Sequence, residues 1–237
     1  MITSVCLLKN SNYPKVFADM LGSIASDRDD VCEIGAGPGL HESLQPIRDK
    51  LGNLTGIDLS PSVLSNPWLN HSIQGDFEMA FNNGEKFNHA FAFNVVEHIE
   101  NPNKFLVKLS EILHPGGTFL ALTPNVRHPF CQISRIVEGL KLKHFYRNWL
   151  SRGTKEFSVN DYPAYYRLND PYHISRLVKE NKLPIDSIEA FYLPAGWNGY
   201  FPFFLKKLPD IIDFALKSIP RSELILILKI VKSKSLD

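Results

Sequence analysis

The sequence is poor in cysteine and has no excess of charge of either sign. Its three cysteines, Cys6, Cys32 and Cys131, stand far apart and form no CxxC pair or cysteine–histidine cluster, which argues against a zinc site and a disulfide-rich scaffold. In 237 residues, 26 Lys and Arg face 25 Asp and Glu, a balance that argues against a protein that coats nucleic acid through its net charge. The sequence therefore predicts reduced thiols and no nucleic-acid partner.

Long apolar runs and targeting signals are also missing. The longest apolar run, residues 224–228, ends at Lys229 and is far shorter than the roughly 20 residues that span a bilayer. The first ten residues have no basic start followed by an apolar stretch and a small-residue cleavage site. We therefore expect a soluble, cytoplasmic protein.

The sequence does contain a regular alternation of short apolar segments and amphipathic segments. Such alternation predicts βαβ units, in which parallel strands form a sheet covered by helices on both faces. The apolar segments predict strands at residues 31–34, 54–58, 71–75, 87–94 and 118–123. The amphipathic segments predict helices at about 14–25, directly after the glycine-rich turn at 35–39, and at about 102–113.

The alternation becomes irregular after Pro124. A helix is predicted at about 173–181, a strand near 185–192, and a closing strand at about 223–233, where Leu and Ile alternate. We interpret the chain as one domain over residues 1–237 that carries two substrate-capping insertions, at about 125–170 and 194–220.

A turn with three glycines follows the first of these predicted strands. Residues 33–39 read EIGAGPG, and glycines at a strand end let a ligand approach the backbone without meeting a Cβ. The spacing is G-x-G-x-G, whereas a dinucleotide-binding turn needs its third glycine at the position of Leu40. This spacing disfavours an NAD-dependent oxidoreductase, and on its own the turn is also compatible with a purely structural role.

Acidic residues after the next two strands favour a ligand site. Asp58 closes the second strand about 20 residues after the turn, where a carboxylate accepts hydrogen bonds from both hydroxyls of a ribose. Asp76 and Phe77 follow the third strand, and such a pair suits the amino group and the ring of an adenine. The turn and the acids, in this order, predict a nucleoside pocket.

Five motifs stand in unbroken order over about residues 30–125: VCEIGAGPG, TGIDLS, GDF, FAFNVVEHIENPNKFLVKLSEIL and HPGGTFLALTPN. In this order they resemble the motifs of class I S-adenosylmethionine-dependent methyltransferases, in particular the group with quinone-pathway, natural-product and glycan methyltransferases. The resemblance implies an α/β, Rossmann-like fold with a seven-stranded, mostly parallel sheet and helices on both faces. It also implies an antiparallel carboxyl-terminal strand at residues 224–231 and S-adenosyl-L-methionine as the cofactor.

The family's cofactor-binding positions carry over to this chain through the same motifs. They are Glu33, Gly35, Ala36, Gly37 and Gly39 around the amino-acid part of the cofactor, Asp58 at the ribose, Leu59, Asp76 and Phe77 at the adenine, and Asn94 and Val95 beside the methionine moiety.

A general base is expected beside the methyl donor wherever the acceptor has to lose a proton. His98 is the candidate, because imidazole titrates near neutral pH and the residue lies just past the fourth predicted strand. In the family the Glu97-His98 pair also serves as a structural helix start, so both interpretations of His98 stay open. His128, Tyr166 and His173 are weaker candidates.

Some relatives in the family hold a divalent cation with a Glu-x-x-Glu-His run at this strand end. The corresponding run here is NVVEH, in which Asn94 stands where the first carboxylate would be. Hard cations prefer several oxygen ligands, and the loss of a carboxylate weakens such a site. We therefore predict that no metal is required.

The first insertion is basic and aromatic. Between Arg127 and Lys155, seven basic residues face a single acid, Glu138. Such a segment suits an acidic or lipid-linked acceptor, although a solvated helix face is the simpler interpretation. The aromatic stretch 200–204, followed by Lys206 and Lys207, leaves peripheral membrane contact open as well.

Together these features predict transfer of a methyl group from S-adenosylmethionine to an oxygen, or a nitrogen, of a small-molecule acceptor. The alternatives are a methyltransferase for a lipid-linked or membrane-bound acceptor, such as a quinone or a glycolipid, and a non-catalytic cofactor-binding subunit. Nucleic-acid methylation is disfavoured, because no Asn-Pro-Pro-Tyr motif follows the fourth strand. The sequence leaves the acceptor and the oligomeric state undetermined.

Overall fold

Eight strands build one continuous sheet in the computed structural model, which describes residues 2–139, 162–197, 207–216, 219 and 221–234. The strands are β1 (Ile2–Leu7), β2 (Asp30–Ile34), β3 (Asn53–Asp58), β4 (His71–Gln74), β5 (Phe87–Phe93), β6 (Leu113–Pro124), β7 (Ile185–Leu193) and β8 (Ile225–Lys232). Their order across the sheet is β1-β7-β8-β6-β5-β2-β3-β4. As expected, the sheet is mostly parallel and its carboxyl-terminal strand, β8, runs antiparallel to both neighbours.

The sheet has one strand more than the seven expected, because the amino-terminal segment forms an edge strand. β1 lies parallel to β7, with Val5 opposite Ala190. Its side chains are half-buried or exposed, since β1 has a neighbour on one side only. With Thr3 and Ser4 near its start, β1 lacks the continuous apolar character that identified the buried strands.

Both faces of the sheet are buried, which is why its central strands are continuously apolar. Along β6, Phe119 and Ala121 contribute to one core, whereas Leu120 and Leu122 contribute to the other, as the alternation of side chains along a strand requires. Full burial of one such Phe or Leu side chain stabilises the fold by roughly 1.5–3 kcal/mol.

Helices cover both faces, and three of the five begin close to the predicted positions, whereas those at 129–139 and 208–216 were not predicted. They are α1 (Tyr13–Ile24), α2 (Pro102–Ile112), α3 (Pro129–Gly139), α4 (Pro171–Glu180) and α5 (Leu208–Leu216). Residues of α2 and α4 pack in the first core, and residues of α1 pack in the second. α2 begins where Asn101 Oδ1 accepts a hydrogen bond from Lys104 N at 3.2 Å, and Pro102 supplies a fixed φ for the first turn. Within the described ranges, none of these helices is long and apolar enough to span a bilayer.

The prediction of an α-helix directly after the glycine-rich turn is wrong. The structure has a 3₁₀ helix at Gln45–Leu51 instead. Pro46, near its start, has no N–H to donate and disfavours the α conformation of the preceding residue, so a helix begun at the turn cannot continue through this position. Leu40 and Leu44 still reach the second core, which explains the apolar pattern that suggested a helix.

The structure describes only the two ends of the first insertion, residues 125–139 and 162–170. Most of the side chains that make this insertion basic and aromatic lie outside the described residues: Lys141, Lys143, Phe145, Tyr146, Arg147, Trp149, Arg152 and Lys155. The aromatic stretch 200–204 and Lys206 also lie outside them. The end of the insertion, by contrast, bears directly on the site described next.

Candidate functional site

A cleft of about 1180 Å³ opens at the carboxyl ends of β2, β3, β4 and β5. The chain leaves β2 toward β3 on one side, while β5 lies on the other side of β2, so the cleft sits at the point where the strand order reverses. Open α/β sheets bind their ligands at such a point. Nine of the predicted site residues line this cleft: Gly35, Gly37, Asp58, Leu59, Asp76, Phe77, Asn94, Val95 and His98.

The glycine-rich turn forms one wall of the cleft, and two of its glycines adopt a left-handed backbone. Gly35 has a φ of +77°, and a Cβ at this position would collide with the side chain of Val95. Gly37 has a φ of +51°, and a Cβ there would meet nothing within 4 Å. Gly35 is therefore required by the fold, whereas Gly37 leaves backbone open to a ligand.

Asp58 holds the turn in place from the end of β3. Its Oδ2 accepts a hydrogen bond from Gly37 N at 2.9 Å, and its Oδ1 accepts one from Ser60 N at 2.7 Å. Each carboxylate oxygen has two lone pairs, so both oxygens retain acceptor capacity. The side chain is half-buried on the cleft wall and can accept two further donors there.

Glu33, Ala36 and Gly39 do not line the cleft, although the sequence placed them in the site. Glu33 is buried, and its Oε2 has no hydrogen-bond partner. Burial, together with the nearby charge of Asp58, raises the pKa of Glu33 to about 8, and Arg48 offsets part of this rise. Glu33 therefore lies behind the turn as a polar group with unused hydrogen-bonding capacity.

Another wall of the cleft is formed by the residues that follow β3 and β4. Asp76 is exposed, and its Oδ1 accepts a hydrogen bond from Glu78 N at 2.9 Å at the start of a short 3₁₀ helix, Phe77–Met79. Phe77 is buried with its ring centroid 5.0 Å from that of Phe105, while Leu59 is exposed at the cleft. This part of the cleft therefore combines a carboxylate with apolar surface.

His98 reaches the cleft on a tight turn after β5. Asn94 begins this turn at a φ of +56°, a left-handed conformation that asparagine tolerates, and Asn94 N donates to Leu122 O at 2.9 Å. A 3₁₀ helix, Val96–His98, follows. His98 Nδ1 lies 2.9 Å from the carbonyl oxygen of Pro163, and a carbonyl only accepts, so in the neutral imidazole Nδ1 carries the proton and Nε2 keeps its lone pair.

Glu97 points away from the cleft. Its side chain is buried, and Oε2 accepts a hydrogen bond from Thr123 Oγ1 at 2.9 Å. Burial raises the pKa of Glu97. Its backbone oxygen accepts hydrogen bonds from Tyr165 N at 2.8 Å and Tyr166 N at 3.0 Å, so the turn that carries His98 also anchors the end of the first insertion.

Four residues near the end of the first insertion complete the cleft, and none of them was predicted as a site residue. We call residues 162–167 the capping segment; Tyr162, Pro163, Tyr165 and Arg167 from it line the cleft. The guanidinium of Arg167 lies 5.3 Å from the ring centroid of Tyr165, and Arg167 Nη1 donates to Glu100 O at 2.6 Å. The sequence predicted that this insertion caps the substrate, but no local periodicity marks which of its residues reach the cleft.

A second imidazole in the cleft, His41, was also missed. Its ring stacks on Phe93 with centroids 4.1 Å apart, and Ser43 N donates to His41 Nδ1 at 3.3 Å. Burial lowers the pKa of His41. Its place shortly after the glycine-rich turn is the one feature of the sequence that points to the cleft.

The three weaker candidates for a base do not line the cleft. His128 is buried beneath α5, where its Nε2 lies 3.3 Å from Asp213 Oδ1 and its ring packs against Trp197. Tyr166 packs in the second core, and His173 lies on α4 with its Nδ1 2.8 Å from Arg176 Nη2. A position shortly after a strand does not fix the direction of a side chain, so His128 follows β6 closely and yet does not reach the cleft.

Metal-ligand geometry is not found in the part of the chain that the structure describes. There, no group of three or more His, Cys, Asp or Glu side chains is arranged to hold an ion. In the turn at the end of β5, Asn94 is exposed at the cleft and Glu97 is buried against Thr123, so the two side chains do not converge.

Comparison with known proteins gives consistent matches. A family model described as a methyltransferase domain matches residues 10–176. A ubiquinone biosynthesis O-methyltransferase from Cereibacter sphaeroides is 26% identical over 176 residues, which make up 70% of this chain and 65% of that relative, slightly less than two thirds of its length.

Two solved structures share the fold. A SAM dependent methyltransferase from Archaeoglobus fulgidus has a TM-score of 0.59 at 10% identity, covering 94% of this chain and 95% of that chain. A phosphoethanolamine N-methyltransferase from Haemonchus contortus, in complex with S-adenosyl-L-methionine, has a TM-score of 0.55 at 16% identity, covering 94% of this chain and 52% of that chain.

Proposed function

Since the chain belongs to the class I S-adenosylmethionine-dependent methyltransferases, as the match of residues 10–176 establishes, we propose that it methylates an oxygen of a small-molecule acceptor. A nitrogen is the second choice of acceptor atom. The observation that carries the proposal is the single cleft in which the glycine-rich turn, Asp58 and His98 meet. It combines the groups needed to bind the methyl donor with a group able to take a proton.

The residues present fit the cofactor. The open backbone at Gly37 allows the close approach that its amino-acid part needs, and Asp58 retains acceptor capacity on both oxygens for the two ribose hydroxyls. The unpartnered Oε2 of Glu33 suits a polar group behind the turn. We assign Glu33, Gly35, Ala36, Gly37 and Gly39 to the amino-acid part, Asp58 to the ribose, Leu59, Asp76 and Phe77 to the adenine, and Asn94 and Val95 to the methionine moiety.

When bound, S-adenosylmethionine supplies a methyl group that is already activated on a sulfonium. The chain then has two tasks, to align the acceptor atom about 3 Å from that methyl and to accept its proton. We assign the second task to His98 Nε2, because Nδ1 is engaged by Pro163 O. His98 would leave the reaction as an imidazolium that returns its proton to solvent through the open cleft.

We assign acceptor binding to the capping segment, as part of a first insertion at 125–170 that covers this end of the cleft. Tyr162 and Tyr165 supply aromatic surface, and Arg167 and Lys104 supply positive charge at the same end. An aromatic acceptor with an acidic group fits these residues best. The match to relatives named ubiquinone biosynthesis O-methyltransferases supports an oxygen as the acceptor atom.

The proposal is tested by incubating the protein with methyl-labelled S-adenosylmethionine and a metabolite extract, separated into water-soluble and lipid fractions. We expect label in a methyl ether of a water-soluble aromatic compound. Label confined to the lipid fraction would favour the lipid-linked alternative. Cofactor binding by calorimetry without any labelled product would favour a non-catalytic subunit, and tighter binding of NADH than of S-adenosylmethionine would overturn the proposal.

Asp58→Ala is expected to weaken S-adenosylhomocysteine binding about ten- to a hundredfold, because each ribose hydroxyl loses its charged acceptor and such hydrogen bonds are worth roughly 1.5–3 kcal/mol. Isothermal titration calorimetry measures the change. Asp30→Ala, at the opposite end of the sheet where its Oδ1 accepts from Asn53 Nδ2, is the matched control and should bind normally. An unchanged dissociation constant for Asp58→Ala would remove this residue from the site.

Activity is expected to survive exhaustive dialysis against EDTA and to gain little from added magnesium. The reason is Asn94, a neutral amide at the position where metal-using relatives carry a carboxylate, since a hard cation prefers charged oxygen ligands. Initial rates before and after dialysis check this. If chelation stops turnover and magnesium or manganese restores it, the no-metal prediction is wrong and His98 is no longer free to act as a base.

A further inference from the structure

The turn that carries His98 is fastened to the capping segment by one side-chain and two backbone hydrogen bonds. Pro163 O accepts from His98 Nδ1, and Glu97 O accepts from both Tyr165 N and Tyr166 N. These bonds join two segments that lie more than 60 residues apart in the sequence. The position of His98 therefore depends on where the capping segment lies.

A chain of buried side chains fastens the same two segments from behind. Asn169 follows the capping segment and is fully buried; its Nδ2 donates to Thr123 Oγ1 and, at 2.9 Å, to Pro124 O. Thr123, also fully buried, donates its hydroxyl hydrogen to Glu97 Oε2 at 2.9 Å. Asn169, Thr123 and Glu97 thus form a continuous hydrogen-bonded path from the capping segment to the residue beside His98.

We propose that Asn169 and Thr123 are positioning residues for the proposed methyl transfer, which hold Pro163 O against His98 and thereby fix His98 as the Nδ1–H tautomer. Nothing in this path touches the cleft, so neither residue acts on the substrate directly. The inference rests on the proposed function, because it concerns the nitrogen that accepts the proton. A neutral imidazole in water favours the other tautomer, in which Nε2 carries the hydrogen and has no lone pair to offer.

The geometry explains why a small displacement matters. A hydrogen bond weakens steeply as the donor and the acceptor move apart or lose alignment, and the Nδ1–O distance is 2.9 Å. Removing the Asn169 amide takes a buried donor away from Pro124 O and from Thr123 Oγ1, which favours movement of the capping segment toward other partners. His98 would then sample both tautomers, and only one of them can accept a proton at Nε2.

The first test is a spectroscopic one on the wild-type protein. Long-range proton–nitrogen NMR on ¹⁵N-histidine-labelled protein, saturated with S-adenosylhomocysteine, shows which ring nitrogen of each neutral histidine is unprotonated. The His98 signals are identified by their loss in His98→Gln. We expect the unprotonated nitrogen of His98 to be Nε2, and finding Nδ1 unprotonated in the wild type would overturn the inference without any variant.

The second test compares variants. Asn169→Ala and Thr123→Val should both give a mixture of His98 tautomers and lower kcat about tenfold, with KM for S-adenosylmethionine changed less than about twofold. Asn125→Ala is the matched control, because Asn125 is equally buried beside the end of β6 and its Nδ2 likewise makes two hydrogen bonds, here to the backbone carbonyls of Arg221 and Glu223. The control should lose stability but keep the wild-type His98 signals.

The outcomes separate this inference from the proposed function. If no acceptor is ever methylated, but Asn169→Ala and Thr123→Val disturb the His98 tautomer and Asn125→Ala does not, the positioning stands and the function falls. If turnover is found and Asn169→Ala and Thr123→Val leave both the tautomer and kcat unchanged, the function stands and the positioning is wrong. Equal disturbance of His98 by Asn125→Ala would also overturn the inference, because it would show a general structural effect.

Discussion

His98→Ala is expected to lower kcat by about 10²–10⁴ while the affinity for S-adenosylmethionine changes less than about threefold. The imidazole is the one group that we assign to proton removal, whereas binding of the cofactor is assigned to residues of the glycine-rich turn and of β3. Steady-state rates together with calorimetric titration separate the two effects. The loss should shrink at alkaline pH, where more of the acceptor ionises without help.

His114→Ala provides the matched control, since His114 is exposed at the start of β6, at the opposite end of the sheet from the cleft. It should leave kcat and binding unchanged. A His98→Ala enzyme with a near-normal rate at neutral pH would contradict the assignment. The other imidazole and phenol groups that line the cleft are His41, Tyr162 and Tyr165. The same measurements on His41→Ala, Tyr162→Phe and Tyr165→Phe would then decide between a different base and alignment alone.

Gly37→Val is expected to abolish detectable cofactor binding, a loss of at least about 100-fold, while the chain still folds. A Cβ at Gly37 meets no protein atom within 4 Å, so the branched side chain would fit the fold but would project into the space where the cofactor has to lie. The left-handed φ of +51° adds a strain of about 1–2 kcal/mol for any residue with a Cβ. Calorimetry with S-adenosylhomocysteine and a thermal melt measure binding and stability separately.

Gly84→Val separates strain from obstruction. Gly84 has a φ of +89°, a Cβ there would also meet nothing within 4 Å, and the residue does not line the cleft. Both variants should lose similar stability, but only Gly37→Val should lose binding. Binding of S-adenosylhomocysteine by Gly37→Val within a few-fold of the wild type would show that the cofactor lies elsewhere.

The central sheet and the wall of the cleft formed by the glycine-rich turn and Asp58 were predictable because their signals are local. Strands buried on both faces leave short apolar runs such as residues 31–34, and a close approach of ligand to backbone requires glycine, which the turn displays openly. An acid such as Asp58 at a strand end is then placed by the sheet itself, since the carboxyl ends of parallel strands share one edge. These inferences need no knowledge of distant contacts.

The rest of the site depends on contacts between distant segments, which no local pattern records. Tyr165 and Arg167 reach the cleft only because Glu97 O binds backbone N–H groups far along the chain. His128 looked equivalent to His98 in its distance from a strand, but it turns toward Asp213 and Trp197. Edge strand β1 was missed for the same reason, since its pairing with β7 is specified by tertiary contacts more than by its own composition.

The place of β8 between β6 and β7 dictates the order in which the sheet can assemble during synthesis. Within the described sheet β7 has only β1 and β8 as neighbours, so the β1–β7 pair cannot join the remaining strands until β8, the last of these eight strands in sequence, has emerged from the ribosome. Strands β2 to β6, whose ends carry the glycine-rich turn and Asp58, can pair as soon as residue 124 has left the ribosome. Of the eight strands, β1 is thus synthesised first and joins the sheet last. Until then its unpaired backbone groups are open to pairing with other nascent chains.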